Sequence, residues 1–329
     1  MLIRLARSKS PTILFFLVVI TILLWWSSFT SDEISRFHFH QHQMPLYQLT
    51  MRWIGQNAAA SLGVAFAILI IQALIILRFN QQYIFITTQT YLHPLVYLLI
   101  SSSFVQLQQY HPALPASLFV FLMLDQLFAG YRKRYILNRL FAAGLFAGMA
   151  TLFYAHAVFF IVLIWFALVI LRTFDLREWF VPVLGFAFPM VFVLGYYFYV
   201  DHLTLQGLWK TIVASFTAKE TITYYNWSYY LFYGFMAFWW LVASFSMIRK
   251  MHKLKIYVRK FHELLWWFFV GTLLLFVLRN PVSVEMLYFT AIPLSFLLAD
   301  HIHSLRNKTF GNIMMLFFIG FLGLIQYMN

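Results

Sequence analysis

The sequence has no cysteine among its 329 residues, so it can form no disulfide, thiol nucleophile or thiolate metal site. Charged side chains are also scarce. They make up 10% of the chain, whereas soluble proteins carry about a quarter. Hydrophobic residues account for 63% and aromatic residues for 21%, which is more apolar surface than a water-soluble domain could bury. These proportions predict a helical membrane protein.

Apolar runs of about 20 residues, the length that crosses a bilayer as a helix, recur along the chain. They predict an all-α polytopic bundle of about eleven spans, with two spans inside the run 139–171 and the others at 11–29, 58–77, 90–106, 114–130, 180–200, 228–248, 263–278, 286–299 and 310–327. The first run follows a basic start and precedes no A-x-A-like cleavage site, so we interpret it as a transmembrane helix rather than a removed signal peptide. No repeat, linker or soluble domain is visible, and residues 1–329 are predicted to form a single membrane domain.

The run 139–171 has 33 residues, too many for one untilted span because a helix rises about 1.5 Å per residue. We interpret it as two short helices that meet near Tyr154-Ala155-His156; one tilted helix is the alternative. With the N-terminus in the cytoplasm, the two-helix interpretation puts 18 of the 23 lysines and arginines inside, as the positive-inside rule requires. The single-helix alternative sends the six-charge loop 249–260 outside, so the two-helix interpretation is favoured.

The net charge of +13 is therefore a topology signal together with an attraction to anionic membrane lipids, and it requires no nucleic-acid partner. The same topology puts five of the ten acidic residues and six of the eleven histidines outside, among them Glu285 and His111. The outer face is small, nearly neutral and rich in ionisable groups. A catalytic site is more readily expected there than on the basic inner face.

The first outer segment, 30–57, carries the candidate catalytic residues Asp32 and Glu33. A carboxylate at the membrane surface can act as general base on an acceptor hydroxyl, because partial burial raises its pKa toward the working range. The alternative is a helix N-terminus, which Ser31 caps and the helix dipole stabilises. The two interpretations are compatible.

Three histidines follow in the same segment, at His38, His40 and His42. On a helix His38 and His42 would share one face, and together with a carboxylate they are candidate zinc ligands. The alternative is an interfacial segment with its imidazoles in water. Because no H-E-x-x-H-like spacing accompanies them, the sequence predicts no metal or other cofactor.

Two charged residues near the predicted spans are also candidates. Asp125 lies inside the fourth span, where the insertion of a charge costs about 2.5–3.5 kcal/mol. It could form a salt bridge or hydrogen bond to a neighbouring helix, or it could belong to a proton or ion path. Arg279 ends a span on the outer side near Glu285. It could bind a lipid-linked phosphate, or it could be a snorkelling arginine.

The layout of the first two thirds of the chain resembles a known superfamily through four features: Asp32-Glu33 at the start of the first outer loop, the segment QMPLYQLTMRW before the second span, a span that ends at Arg78, and a Gly-rich hairpin from Asn138 to Arg172. This order resembles the GT-C superfamily of membrane glycosyltransferases, which use polyprenyl-phosphate sugars. The resemblance implies a GT-C-like module in 1–200, additional transmembrane helices in 201–329, and interfacial helices in the first outer loop. The segments PLYQL, YRKR and LRTFDLREWFVPVLGF also make the chain similar to a family of bacterial multi-pass inner-membrane proteins.

On this resemblance, Asp32 (or Glu33) would be the catalytic carboxylate, and Arg36, Arg279 or Lys210 would contact the phosphate of the donor. The implied function is sugar transfer from a polyprenyl phosphate on the outer face of the bacterial inner membrane. Three other functions are open: a non-catalytic scaffold or assembly subunit of a cell-envelope complex, which would use the basic loop 249–260; a His-dependent membrane metalloenzyme; and a transporter that rests on Asp125 alone. The expected partners are membrane lipids, a polyprenyl-phosphate-linked sugar and an envelope protein.

Overall fold

The fold is all-α, as the sequence predicts. The computed structural model describes residues 12–30, 44–54, 57–83, 90–171, 175–200, 227–278, 284–305 and 308–328. Within these ranges there are α-helices, short 3₁₀ turns and connecting segments, and no strand. In chain order the α-helices are α1 (Thr12–Leu24), α2 (Trp26–Thr30), α3 (Pro45–Ile54), α4 (Ala58–Tyr83), α5 (Leu92–Ser101), α6 (Ala113–Ala129), α7 (Leu137–Phe153), α8 (Phe160–Leu171), α9 (Leu176–Val200), α10 (Trp227–Lys250), α11 (Ile256–Leu278), α12 (Leu287–Ser304) and α13 (Lys308–Met328).

In the described ranges, four helical stretches are long and apolar enough to cross a membrane: Ala59–Tyr83, Leu176–Val200, Tyr230–Lys250 and Thr309–Gln326. The shortest has 18 residues. A helix of that length extends about 27 Å, close to the roughly 30 Å of a hydrocarbon core. These helices indicate that the protein associates with a membrane, whereas the eleven spans, their orientation and the inner-membrane location stay predictions.

Two helices form the centre of the bundle. All ten residues of α5 are buried, and α12 is buried without interruption from Leu287 to Ala299. The two run antiparallel: the ring of His93, near the start of α5, contacts Phe296 of α12, and Tyr288, near the start of α12, donates a hydrogen bond to the carbonyl of Leu107 beyond the end of α5. Helices α6, α10 and α11 pack around α12, and α4 packs against α5. Helices that are buried on every side are expected only at the core of such a bundle.

The predicted break inside 139–171 is confirmed. Helix α7 ends at Phe153, and Tyr154 has extended backbone angles, with φ −138° and ψ 110°. A 3₁₀ turn, Ala155–Phe159, then leads into α8. The ring of Tyr154 stacks on Phe289 of the central helix α12, with the ring centroids 5.8 Å apart, so packing against the core helps to hold the chain in its extended conformation at the break.

Helices α7 and α9 pack at backbone distance through three glycines. Gly144 and Gly148 form a G-x-x-x-G pair on α7, the spacing that lets membrane helices approach closely. A Cβ atom added at Gly144 would overlap the carbonyl of Pro182, and one at Gly185 would overlap the carbonyl of Phe141. The close contact therefore depends on the missing side chains.

This contact predicts that Gly144→Ala and Gly185→Ala each destabilise the protein by about 1–3 kcal/mol through overpacking. Gly195→Ala on the same helix α9 is the matched control, because a Cβ there meets no atom within 4 Å and alanine is the better helix former by about 0.5–1 kcal/mol. Thermal unfolding in detergent should give lower midpoints for the first two variants only. Equal midpoints for all three would show that α7 and α9 are not packed at backbone distance.

Candidate functional site

The segment between α5 and α6, residues 102–111 (SSFVQLQQYH), is irregular and yet mostly buried. Ser102, Phe104, Gln108 and His111 are each at most 2% exposed, and the only regular structure is a 3₁₀ turn, Val105–Leu107. Irregular backbone in a membrane protein is tolerated only where protein or a cavity surrounds it. The polar groups of this segment must therefore find partners on neighbouring helices.

Gln108 and Ser102 supply most of the contacts to the N-terminal and C-terminal helices. Gln108 Oε1 accepts a hydrogen bond from Ser28 Oγ at 2.6 Å, and Gln108 Nε2 donates to the carbonyl of Ser102 at 3.0 Å. Trp25 Nε1 donates to Ser102 Oγ at 2.9 Å, and Gln326 Nε2 donates to the Ser102 carbonyl at 2.7 Å. One buried segment thus joins residues from the two ends of the chain.

Tyr110 makes the corresponding contacts with α3. The Tyr47 hydroxyl donates to the carbonyl of Tyr110 at 3.1 Å, the two rings stack with centroids 5.5 Å apart, and the Tyr110 hydroxyl donates to Thr50 Oγ1 at 2.9 Å. Burial raises the pKa of both phenols, and for Tyr47 the nearby Tyr110 and Glu285 raise it further. Both hydroxyls therefore stay protonated and act as hydrogen-bond donors.

His111 and Glu285 are in contact at the end of this segment. His111 Nε2 lies 2.5 Å from Glu285 Oε1, and the backbone N–H of Ala113 donates to His111 Nδ1 at 3.1 Å. Because a backbone N–H can only donate, Nδ1 holds a lone pair, so the proton of the neutral ring is on Nε2, the atom in contact with the carboxylate. The side chain of His111 is 2% exposed and that of Glu285 is 17% exposed. A buried imidazole thus contacts the carboxylate while part of the carboxylate faces solvent.

Glu285 is the best placed of the described acidic residues for proton transfer. Glu285 contacts His111 directly, and its charge helps to raise the pKa of Tyr47, so an imidazole and a phenol lie in its neighbourhood. A carboxylate that contacts an imidazole and is partly open to solvent can take a proton from a bound hydroxyl and release it again.

The sequence-predicted site residues lie outside the described residues. They are Asp32, Glu33, Arg36, His38, His42, Lys210 and Arg279. Described residues on either side of the segment 31–43 contact the irregular segment: Ser28 of α2 donates to Gln108, and Tyr47 of α3 donates to the carbonyl of Tyr110. Gln108 and Tyr110 closely precede His111 in the chain.

The pairing of His111 with Glu285 is what sequence reasoning missed. The two residues are 174 positions apart, and no motif connects them. The sequence contains one signal of it: both residues are predicted at the outer end of a span, His111 after the third span and Glu285 before the tenth. That signal shows which residues share a face of the membrane, but it does not show which of them touch.

Asp125 on α6 is paired across the helix interface. The Tyr83 hydroxyl, at the end of α4, donates to Asp125 Oδ1 at 2.8 Å. Of the interpretations that the sequence left open, a hydrogen bond to a neighbouring helix is therefore the one observed. Among the described residues, no group of three or more histidine or acidic side chains is arranged to hold a metal ion.

No family model, no curated protein and no solved structure matches the chain. The GT-C resemblance accordingly stays a prediction from the order of parts in the sequence. The candidate site above stands on its own contacts.

The contacts of Gln108 predict that Gln108→Leu destabilises the protein by about 2–3 kcal/mol, because a neutral hydrogen bond contributes roughly 1 kcal/mol and unsatisfied partners cost more. Gln109→Leu is the matched control, since the Gln109 amide donates locally to the carbonyl of Gln106. Thermal unfolding in detergent should show the larger loss for Gln108→Leu. If Gln109→Leu loses as much, the bonds from Gln108 to the flanking helices do not stabilise the fold.

Proposed function

We propose that the chain is a multi-pass protein of the bacterial inner membrane that transfers a sugar from a polyprenyl-phosphate donor on the outer face. The observation that carries this proposal is the His111–Glu285 pair. In this pair a carboxylate contacts a buried imidazole that follows Gln108 and Tyr110 in the chain. Gln108 and Tyr110 bond to Ser28 and Tyr47, which lie on either side of the segment in which the GT-C resemblance puts the catalytic Asp32 or Glu33.

The proposed topology has eleven spans, with the His111–Glu285 pair on the outer side. Two findings support it. The helix break at Tyr154 is the feature that keeps the six-charge loop 249–260 inside. Glu285 lies just before α12, and Lys250 pairs with Asp300 near its other end, so the acidic and basic ends of the bundle are separated along one central helix. The short helix α3, with Trp53 85% exposed, then lies on the outer surface as an interfacial helix.

In the proposed reaction, the acceptor hydroxyl oxygen attacks the anomeric carbon of the donor sugar. A new glycosidic bond forms, the bond from the anomeric carbon to the phosphate oxygen breaks, and the phosphate leaves with the bonding electrons. Asp32 (or Glu33) takes the acceptor proton, and an arginine or lysine, Arg279, Arg36 or Lys210, stabilises the leaving phosphate. Glu285, in contact with His111, passes the proton on to the outer water.

A second function, a non-catalytic scaffold of an envelope complex, is favoured by a different observation. The polar network of 102–111 joins α1, α2, α3 and α13 through hydrogen bonds to Leu24, Ser28, Tyr47 and Gln326. A rigid network of this kind serves a structural subunit as well as an enzyme. A stable stoichiometric partner after purification in mild detergent would support the scaffold, as would indifference to substitution at Asp32.

The enzyme proposal predicts that Glu285→Gln, and separately the double variant Asp32→Asn with Glu33→Gln, each lower sugar transfer about 100-fold or more, the usual scale of general-base catalysis. Glu263→Gln, on an exposed residue of α11, is the control and should retain full transfer. The measurement is mass spectrometry of cell-surface glycans in a deletion strain complemented with each variant. Expression of every variant in the membrane fraction is checked by immunoblot.

Unchanged glycans in well-expressed Glu285→Gln and in the well-expressed double variant would overturn the sugar-transfer proposal. Loss in the double variant alone would assign the proton transfer to the first loop and leave Glu285 with a structural role. Loss in Glu285→Gln alone would assign the catalytic base to Glu285 and correct the resemblance.

A further inference from the structure

A second group of ionisable side chains lies at the other end of α12 and takes no part in the proposed sugar transfer. Lys250 Nζ pairs with Asp300 Oδ2 at 3.1 Å and also donates to the Asp300 carbonyl at 3.3 Å. Three histidines lie within electrostatic range of this pair or of one another. His262 of α11 is in range of both Lys250 and Asp300, and His93 of α5 is in range of Asp300, of His262 and of His303 on α12.

The spacing of residues on α12 explains why these groups meet. Phe296, Asp300 and His303 are separated by four and three residues, so they form one stripe along the helix. The His93 ring lies against Phe296, with the centroids 5.2 Å apart, which puts the imidazole about one helical turn from Asp300. The ionisable group therefore continues from the end of α12 into the interface between α5 and α12.

Exposure falls steadily along this group. The Lys250 side chain is 25% exposed and that of Asp300 is 13% exposed, whereas His262 and His93 are both 0% exposed. The group thus starts at the protein surface and ends in the core. A proton that enters at Asp300 meets titratable side chains at each step inward.

His93 is the least expected residue of this group. Within the described residues, neither of its ring nitrogens has a hydrogen-bond partner. A buried polar group without a partner costs about 1–3 kcal/mol, a cost that leucine or phenylalanine at this position would avoid.

At His262 the Nδ1–H donates to the carbonyl of Val258 at 2.9 Å, so in the neutral ring Nε2 holds the lone pair that can accept a proton.

Titratable groups continue from His93 toward the other end of the bundle. Tyr97 follows His93 by four residues on α5, so the two side chains share a face. The Tyr97 hydroxyl donates to Gln72 Oε1 at 2.7 Å, and Tyr97 interacts electrostatically with Tyr288 of α12. Tyr288 in turn interacts with Glu285, the partner of His111.

We propose that these residues form a proton path along the interface of α5 and α12, from Asp300 through His93, Tyr97 and Tyr288 to Glu285. Carboxylate, imidazole and phenol groups each accept and donate a proton. Members of the path that follow each other on one helix are about one turn apart, and a side-chain rotation or an intervening water would carry the proton between them. The path carries one proton from one face to the other along its gradient and needs no further reactant. From Glu285, just before α12, to Asp300 the helical rise adds up to about 22 Å, most of the thickness of a hydrocarbon core.

The test uses the full-length protein reconstituted into phospholipid vesicles that contain a pH-sensitive dye, with a potassium diffusion potential set by valinomycin as the driving force. The wild-type protein is expected to give proton uptake above that of protein-free vesicles. His93→Phe fills a similar volume but cannot carry a proton, and it should lower the flux at least tenfold. Asp125→Asn is the control: Asp125 is hydrogen bonded to Tyr83, is not on the path, and should leave the flux unchanged.

Tyr97→Phe is the second variant, because it removes a single hydroxyl and so tests the path even if His93→Phe does not fold. It should also lower the flux at least tenfold, with each flux normalised to the protein incorporated. No uptake by wild-type vesicles would overturn the proposal, as would equal flux in wild type, His93→Phe and Tyr97→Phe. His93 has no part in sugar transfer, so His93→Phe separates the two proposals: lost flux with normal surface glycans supports the path whatever the outcome for Glu285→Gln.

Discussion

In this protein the hydrogen bonds of Gln108 fix the arrangement on which the candidate site depends. The helix α5 has only ten residues, about 15 Å of length, and the chain then continues as irregular backbone inside the bundle. Such backbone can stay out of water only if its polar groups are satisfied by the protein. The Gln108 amide does this by bonding at once to α2 and to the main chain of Ser102. His111 follows three residues later, so its position next to Glu285 is set by the same bonds.

The central pair α5 and α12 gives the two ends of the bundle different chemistry. Because the helices are antiparallel and almost wholly buried, ionisable groups collect near their ends: Glu285, just before α12, with His111 at one end, and Asp300 of α12 with Lys250 of α10 at the other. The core between them holds neutral polar groups such as Tyr97 and Gln72. The outer helices contribute close packing instead, most clearly at the glycines that join α7 to α9.

Composition and apolar run length were sufficient to predict the fold class, and the charge count predicted the break at Tyr154 that the structure confirms. These features could be predicted because they depend on local sequence and on the membrane. Three contacts could not be predicted: His111 with Glu285, Tyr83 with Asp125, and His93 with Phe296. Each of them joins distant parts of the chain. Helix packing decides such contacts, and one sequence carries no direct record of it. The predicted residues of the first loop, Asp32 and Glu33, lie outside the described residues and stay a prediction.

The short length of α5 also has an electrostatic consequence. A helix that stops inside a bundle brings the negative end of its dipole, equivalent to about half an elementary charge, into a region of low dielectric. At Ser102 that end is met by the amide N–H groups of Gln108 and Gln326, which are neutral donors and carry no Born cost of burial. Two glutamines thus do what a lysine would do at a solvent-exposed helix end, and the interior at this level is electrostatically balanced without an ionised side chain.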